Sequence, residues 1–127
     1  MAGTLIANTI NTDTGLFSTN NAYQGIAKAW VNFNGNNGSI YKSFNVSSVT
    51  YVGTGQYTIN FTTAMSDANY AVTTCCGSGG GSASSNAVLM LNDYRIAPTT
   101  SAVSLLSSGA GGGTAQNFNY AMAAIFD

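Results

Sequence analysis

The stretch Val49-Thr50-Tyr51-Val52-Gly53-Thr54-Gly55-Gln56-Tyr57-Thr58-Ile59-Asn60-Phe61-Thr62 decides the fold class. In its second arm Tyr57, Ile59 and Phe61 alternate with Thr58, Asn60 and Thr62, the two-residue period of a strand with one apolar face. Gly53-Thr54-Gly55 between the arms supplies the positive φ that a tight hairpin loop demands. The stretch therefore reads as a β-hairpin.

The same pattern extends in both directions. Upstream, Ile26 to Phe33 reads as a strand closed by Asn34-Gly35-Asn36-Asn37-Gly38. Another strand follows, with Ile40, Lys42, Phe44, Val46 and Ser48 on one face and Tyr41, Ser43, Asn45 and Ser47 on the other. Downstream lie runs from Tyr70 to Cys76, Ala87 to Ile96 (limited by Pro98), Ala102 to Leu106 and Asn117 to Phe126. Roughly seven to eight short strands at this spacing predict an all-β, antiparallel β-sandwich over residues 26–127. Trp30, Phe33, Phe44, Tyr57, Phe61 and Tyr70 are the expected aromatic core. The two halves of the chain are not repeats of each other.

Residues 1–25 differ in composition. Polar, turn-prone residues dominate, with Leu5, Ile6, Ile10, Leu16 and Phe17 scattered among them. They read as an extended arm with little core of its own, onto which something else packs. The chain begins with neither a basic region nor a long apolar one, so no signal peptide is expected. The predicted compartment is a reducing cytoplasm. The adjacent Cys75 and Cys76 fit it, since neighbouring strand residues face opposite ways and mutual bonding needs unusual geometry. Both are expected to pack within a strand. The sequons at Asn37, Asn45 and Asn60 are then incidental to an Asn/Thr-rich chain.

Composition excludes several functions. Of 127 residues only 6% are charged, with 3 Lys+Arg, 4 Asp and no His, against about 25% in an ordinary soluble domain. Lys28, Lys42 and Arg95 cannot neutralise a run of phosphates, so nucleic acid is not an expected partner. Without His or Glu, the usual zinc ligands and most general bases are missing, and a Ser-His-Asp triad cannot be assembled. Asp67 and Asp93 formally offer a glycosidase pair, but Asp67 sits in a turn where Asp caps its own backbone. Asp93 stands beside Arg95, where a local ion pair is the plainer reading. No enzyme activity, metal or cofactor is expected. No apolar run approaches the ~20 residues of a spanning helix. A net charge of -1 with 45% hydrophobic residues favours association into an oligomer.

Two Gly-rich segments, residues 77–85 and 109–116, lack the Lys of a phosphate-binding loop. They are either spacers or recognition loops whose backbone amides and hydroxyls approach a ligand such as a glycan. Tyr94 and Tyr120 are candidate stacking surfaces for sugar rings.

One block carries a resemblance. Ala29-Trp30-Val31-Asn32-Phe33-Asn34-Gly35 and Ser43-Phe44-Asn45-Val46-Ser47-Ser48-Val49-Thr50 are its first two parts. It continues from Gly53 through Met65 to Asp67-Ala68-Asn69-Tyr70. The block is similar to a module of bacteriophage tail-fibre proteins, including those of phages of cyanobacteria and other marine bacteria. The Leu5–Ile10 segment and the Ala124-Ile125-Phe126 ending resemble these proteins as well. Ser66 stands where that module commonly has Pro, and the resemblance does not extend over residues 73–119. It implies a non-enzymatic virion structural protein on a tail fibre, made in the host cytoplasm and homotrimeric. Its implied partners are other tail or fibre proteins and a host-surface glycan or protein, with no nucleic acid and no membrane insertion. On this reading residues 1–25 attach or trimerise, through Leu5, Ile6, Ile10, Leu16 and Phe17. The candidate receptor contacts are Ser82, Ser84, Tyr94, Arg95, Thr114 and Gln116, chosen because they lie outside the matched block and are mostly polar. The alternative is a structural component without receptor contact: a collar or capsid decoration, or a fibre adaptor.

Overall fold

The computed structural model describes Gly3 and residues 9–12, 15–18, 25–78, 87–92, 96–109 and 114–127. Every named element among them is a strand: β1 (Thr9–Thr12), β2 (Gly15–Ser18), β3 (Ala29–Phe33), β4 (Ile40–Phe44), β5 (Val46–Gly53), β6 (Gln56–Phe61), β7 (Ala71–Gly77), β8 (Ala87–Leu91), β9 (Ala102–Gly109) and β10 (Tyr120–Phe126). β1 and β2 pair antiparallel by themselves, with Ile10 opposite Phe17 and Asn11 opposite Leu16. The other eight form two four-stranded antiparallel sheets, β4-β3-β10-β7 and β5-β6-β9-β8.

Alternation explains how the sheets meet. Ala29, Val31 and Phe33 of β3 and Ala121, Ala123 and Ile125 of β10 are buried. Facing them from the second sheet, Tyr57, Ile59, Phe61, Val103, Leu105 and Leu89 complete one core cluster. Each such large side chain stabilises by about 1.5–3 kcal/mol on burial, and Phe33 meets Tyr57 edge-on with ring centroids 5.0 Å apart. The result is a β-sandwich.

The chain changes sheets at its edges. Between β4 and β5 the turn is made at Asn45, whose φ of 53° makes it the one non-glycine residue with positive φ among the described residues. Asn tolerates this left-handed conformation better than most residues because its short polar side chain bonds locally. Here the Asn45 amide donates to the carbonyls of Lys28 (3.0 Å) and Thr63 (3.1 Å), and its oxygen accepts from Thr63 N–H at 2.7 Å. At the other edge Thr74 Oγ1 donates to the Leu89 carbonyl, tying β7 to β8.

The structure corrects several expectations. The single strand predicted over residues 40–48 is two strands in two sheets. Phe44 is therefore 55% exposed while Val46 is 9% exposed, not on a common face. A bulge at Tyr41 shifts the β3–β4 register as well. Phe33, Tyr57 and Phe61 are core residues, and Tyr70 packs against them. Trp30 and Phe44 are not. They pair across β3 and β4 on the outer face, because small Ala29 and branched Val31 take the inward positions. Cys76 packs against the core, whereas Cys75 is exposed on the outer face, and both are free thiols. Asp67 does cap its own turn, accepting from Asn69 N–H at 2.6 Å.

Candidate recognition pole

Antiparallel registers give the sandwich two dissimilar ends. At one end Ala29 begins β3, so the chain arrives there from the N-terminal segment. The Asn45 corner, the connection over residues 62–70 and Ile125–Asp127 lie at the same end. A cleft of about 700 Å³ opens there, lined among others by Ile26, Lys28, Phe44, Met65, Ser66 and Asp127. Asp127 accepts from Ser66 N–H (2.6 Å) and Ser66 Oγ (2.8 Å). These two bonds, with a smaller contribution from Lys28, hold its carboxyl below the usual carboxylate range.

The opposite end gathers the β3–β4 turn over residues 34–39, the β5–β6 turn at Thr54-Gly55, and the described flanks of both Gly-rich segments. Those flanks are Gly77-Ser78 with Ala87, and Gly109 with Thr114. The order follows from register, since Tyr120 pairs with Gly77, Ala121 with Phe33, and Ala87 with Gly109. No charged residue stands among the described residues of these connections.

A buried hub holds this end together. The Tyr57 hydroxyl, on a side chain only 1% exposed, donates to the Gly35 carbonyl at 2.8 Å. It also lies 3.2 Å from Ser107 Oγ, which donates to the Gln116 carbonyl at 2.5 Å. Asn117 Oδ1 accepts from Gly55 N–H at 2.7 Å, and Asn117 Nδ2 donates to Tyr51 at 3.0 Å. Two glycines are required by this packing. A Cβ on Gly35 would sit 2.5 Å from the Phe118 carbonyl oxygen, and Gly55 holds φ +68° against the backbone of Ser107 and Gln116. Burial raises the Tyr57 pKa, the Ser107 hydrogen bond opposing it.

Above the hub is a surface of aromatics and amides. Tyr41 and Tyr120 are 50% and 42% exposed, with ring centroids 5.6 Å apart and planes at 43°. Tyr41 OH donates to the Asn119 carbonyl at 3.1 Å. The Asn36 amide donates to Asn34 Oδ1 and to Asn119 Oδ1, both at 2.9 Å, and Asn119 Nδ2 donates to the Ser78 carbonyl at 2.7 Å.

The expected receptor contacts distribute unevenly around this pole. Thr114 and Gln116 are exposed there, and the Gln116 side chain lies beside Gly109. Ser82 and Ser84, and Tyr94 and Arg95, lie outside the described residues. The flanks of the first pair are at the pole. Those of the second are elsewhere: Asn92 N–H donates to the Ser104 carbonyl, and Ile96 lies with Asn92, Thr58 and Ser104 along the second sheet. Of the expected attachment residues, Leu5 and Ile6 lie outside the described residues, while Ile10, Leu16 and Phe17 fall in the β1–β2 pair. The sequence alone does not mark Tyr41, Asn36 and Asn119 as functional. Their only signal there is the density of Asn and Tyr around two apparent turns.

The outer face of the first sheet is a second surface. Its register places Phe44, Trp30, Ala124 and Thr73 in one row and Lys42, Asn32, Met122 and Cys75 in the next. Asn32 Oδ1 is buried within it without a hydrogen-bond partner among the described residues. The corresponding face of the second sheet is polar at its centre, where Asn60 Nδ2 donates to Ser48 and Thr50.

Among the described residues there is no group of three or more His, Cys, Asp or Glu placed to hold a metal ion, and no helix long and apolar enough to cross a membrane. Comparison with known proteins finds no matching family, no matching curated protein and no matching solved structure.

Proposed function

We propose that the chain is a virion structural protein of a bacteriophage tail fibre. In this reading residues 1–25 attach or trimerise, and the opposite pole is presented to the host cell surface. The observation that carries it is polarity: the N-terminal segment joins one end of the sandwich, and both Gly-rich segments spring from the other. Three of the four described charged residues, Lys28, Asp67 and Asp127, lie at the attachment end. The described connections of the presented end carry no charge and consist of Asn, Gln, Ser, Thr, Gly, Ala115 and the buried Phe118. The chain does no chemistry of its own here. Its partners are copies of itself, other tail or fibre proteins, and a host glycan or surface protein.

Homotrimerisation belongs to the same proposal. The outer face with Trp30, Phe44 and Met122 is supporting ground, since exposed apolar surface of this kind is commonly covered by another subunit. The same face also favours the second reading, a collar or capsid decoration or fibre adaptor without receptor contact, because neighbouring virion subunits would cover it equally well.

Competition for adsorption tests the leading reading. Purified chain is expected to slow adsorption of virions that carry it, whereas a chain that is absent from virions and does not compete overturns the proposal. Light scattering tests the trimer, which requires a solution mass three times 13.0 kDa.

A further inference from the structure

We propose that the Tyr41–Tyr120 pair and the amides of Asn36 and Asn119 form a binding site for an uncharged sugar residue, a neutral hexose or N-acetylhexosamine. This inference rests on reading the pole as the recognition end. The two rings, tilted at 43°, make an open wedge that is about half exposed instead of a closed core contact. A sugar offers one face of C–H groups, which are attracted to the negative face of an aromatic ring, and a rim of hydroxyls that need both donors and acceptors. The wedge has both within reach. Both hydrogens of Asn36 Nδ2 are used within the amide chain, leaving Asn36 Oδ1 as an acceptor. Asn119 Nδ2 has given one hydrogen to Ser78 and keeps the other. The Tyr120 hydroxyl makes no hydrogen bond among the described residues.

Two further features point to this ligand class. The amides are held in place before binding by the run from Asn34 through Asn36 and Asn119 to Ser78, so little side-chain entropy remains to be lost. The described connections of the pole carry no charged residue, so an anion seated over the amides would go unpaired there. Lys42, next to Tyr41, stands one row away opposite Asn32, and the anionic control reads its influence.

Saturation-transfer NMR on the full chain tests the site, using maltotriose, cellotriose and chitotriose as neutral probes and trigalacturonate as the anionic control. The expected result is transfer to at least one neutral trisaccharide at millimolar concentration, weakened about tenfold or more in Tyr120→Ala and Asn36→Ala. The Trp30→Ala variant is expected to bind like the parent. Circular dichroism on each variant confirms that the sheets are retained. Absence of transfer to all three neutral sugars overturns the proposal, as do preference for trigalacturonate and loss of binding in Trp30→Ala alone. Adsorption competition run on the same samples separates the two readings. If the chain competes but binds no neutral sugar, the fibre reading stands and the sugar site fails. If the sugar binds at Tyr120 but the chain neither competes nor is found in virions, the site stands and the fibre reading fails.

Discussion

The hydroxyl of Tyr57 donates to the carbonyl of Gly35 at 2.8 Å, linking the core of the second sheet to the first turn of the pole. One hydroxyl proton can serve only one acceptor, and this is the shortest of its contacts. The ring is packed against Phe33, so the polar tip is delivered to the turn by the core itself. Tyr57→Phe keeps the ring and leaves the buried Gly35 oxygen without its donor. A loss of about 1–3 kcal/mol is expected, and thermal unfolding should show it as roughly 4 °C per kcal/mol.

The same tyrosine sets an alkaline limit. Burial raises its folded pKa above the ordinary 10.0, so the unfolded chain loses that proton first as pH rises. Its contribution to stability is complete below the unfolded value and is lost as pH rises through the folded one. Denaturant midpoints measured from pH 8 to 12 should fall less steeply in Tyr57→Phe than in the parent.

Asn45 offers a separable test of the corner between the sheets. Asn45→Ala loses both the amide contacts to Lys28 and Thr63 and the tolerance for φ 53°. The expected loss is about 2–4 kcal/mol, whereas Asn45→Gly keeps the backbone permissive and should lose less. Equal midpoints for the two variants in urea unfolding would remove backbone strain from the explanation.

The two cysteines should differ in reactivity. Burial, with a smaller contribution from neighbouring Cys75, pushes the Cys76 thiol up to about 11, so at pH 8 it is almost wholly protonated. Cys75 is exposed on the outer face. Native protein at pH 8 is expected to take up one equivalent of iodoacetamide quickly and the second only on unfolding. Cys75→Ser should abolish the fast phase in a mass-spectrometric time course.

Ser66 matters for a bond that proline could not make. Its N–H and hydroxyl both reach Asp127, and they are the main reason that carboxyl is held below its ordinary 3.8. A carboxyl with a depressed folded pKa contributes stability above its unfolded value and loses it as pH falls through the folded one. Carboxyl titration by NMR should find Asp127 below 3.8 in the parent and shifted upward in Ser66→Pro, where the N–H is gone.

Much of the fold was legible because alternation is a direct readout of strand faces. Tyr57, Ile59 and Phe61 point inward as their spacing predicts, and the hairpin turns at Thr54-Gly55. Alternation does not say which face is inside. Trp30 and Val31 oppose each other in either case, and side-chain size alone favours Trp30 for a core that the fold gives to Ala29 and Val31. Nor does it mark a corner: the pattern runs unbroken through Asn45, where only a backbone angle changes the sheet. The surface of the pole was hidden for a topological reason. Tyr41 and Asn119 are 78 positions apart, and only the placement of β3 between β4 and β10 brings their turns together.

Immunogold microscopy of virions from a lysate of cells expressing the chain tests the central claim most directly. Antibody against the whole chain is predicted to label the distal ends of tail fibres. Label on the capsid or collar, or particles that carry none, would contradict it.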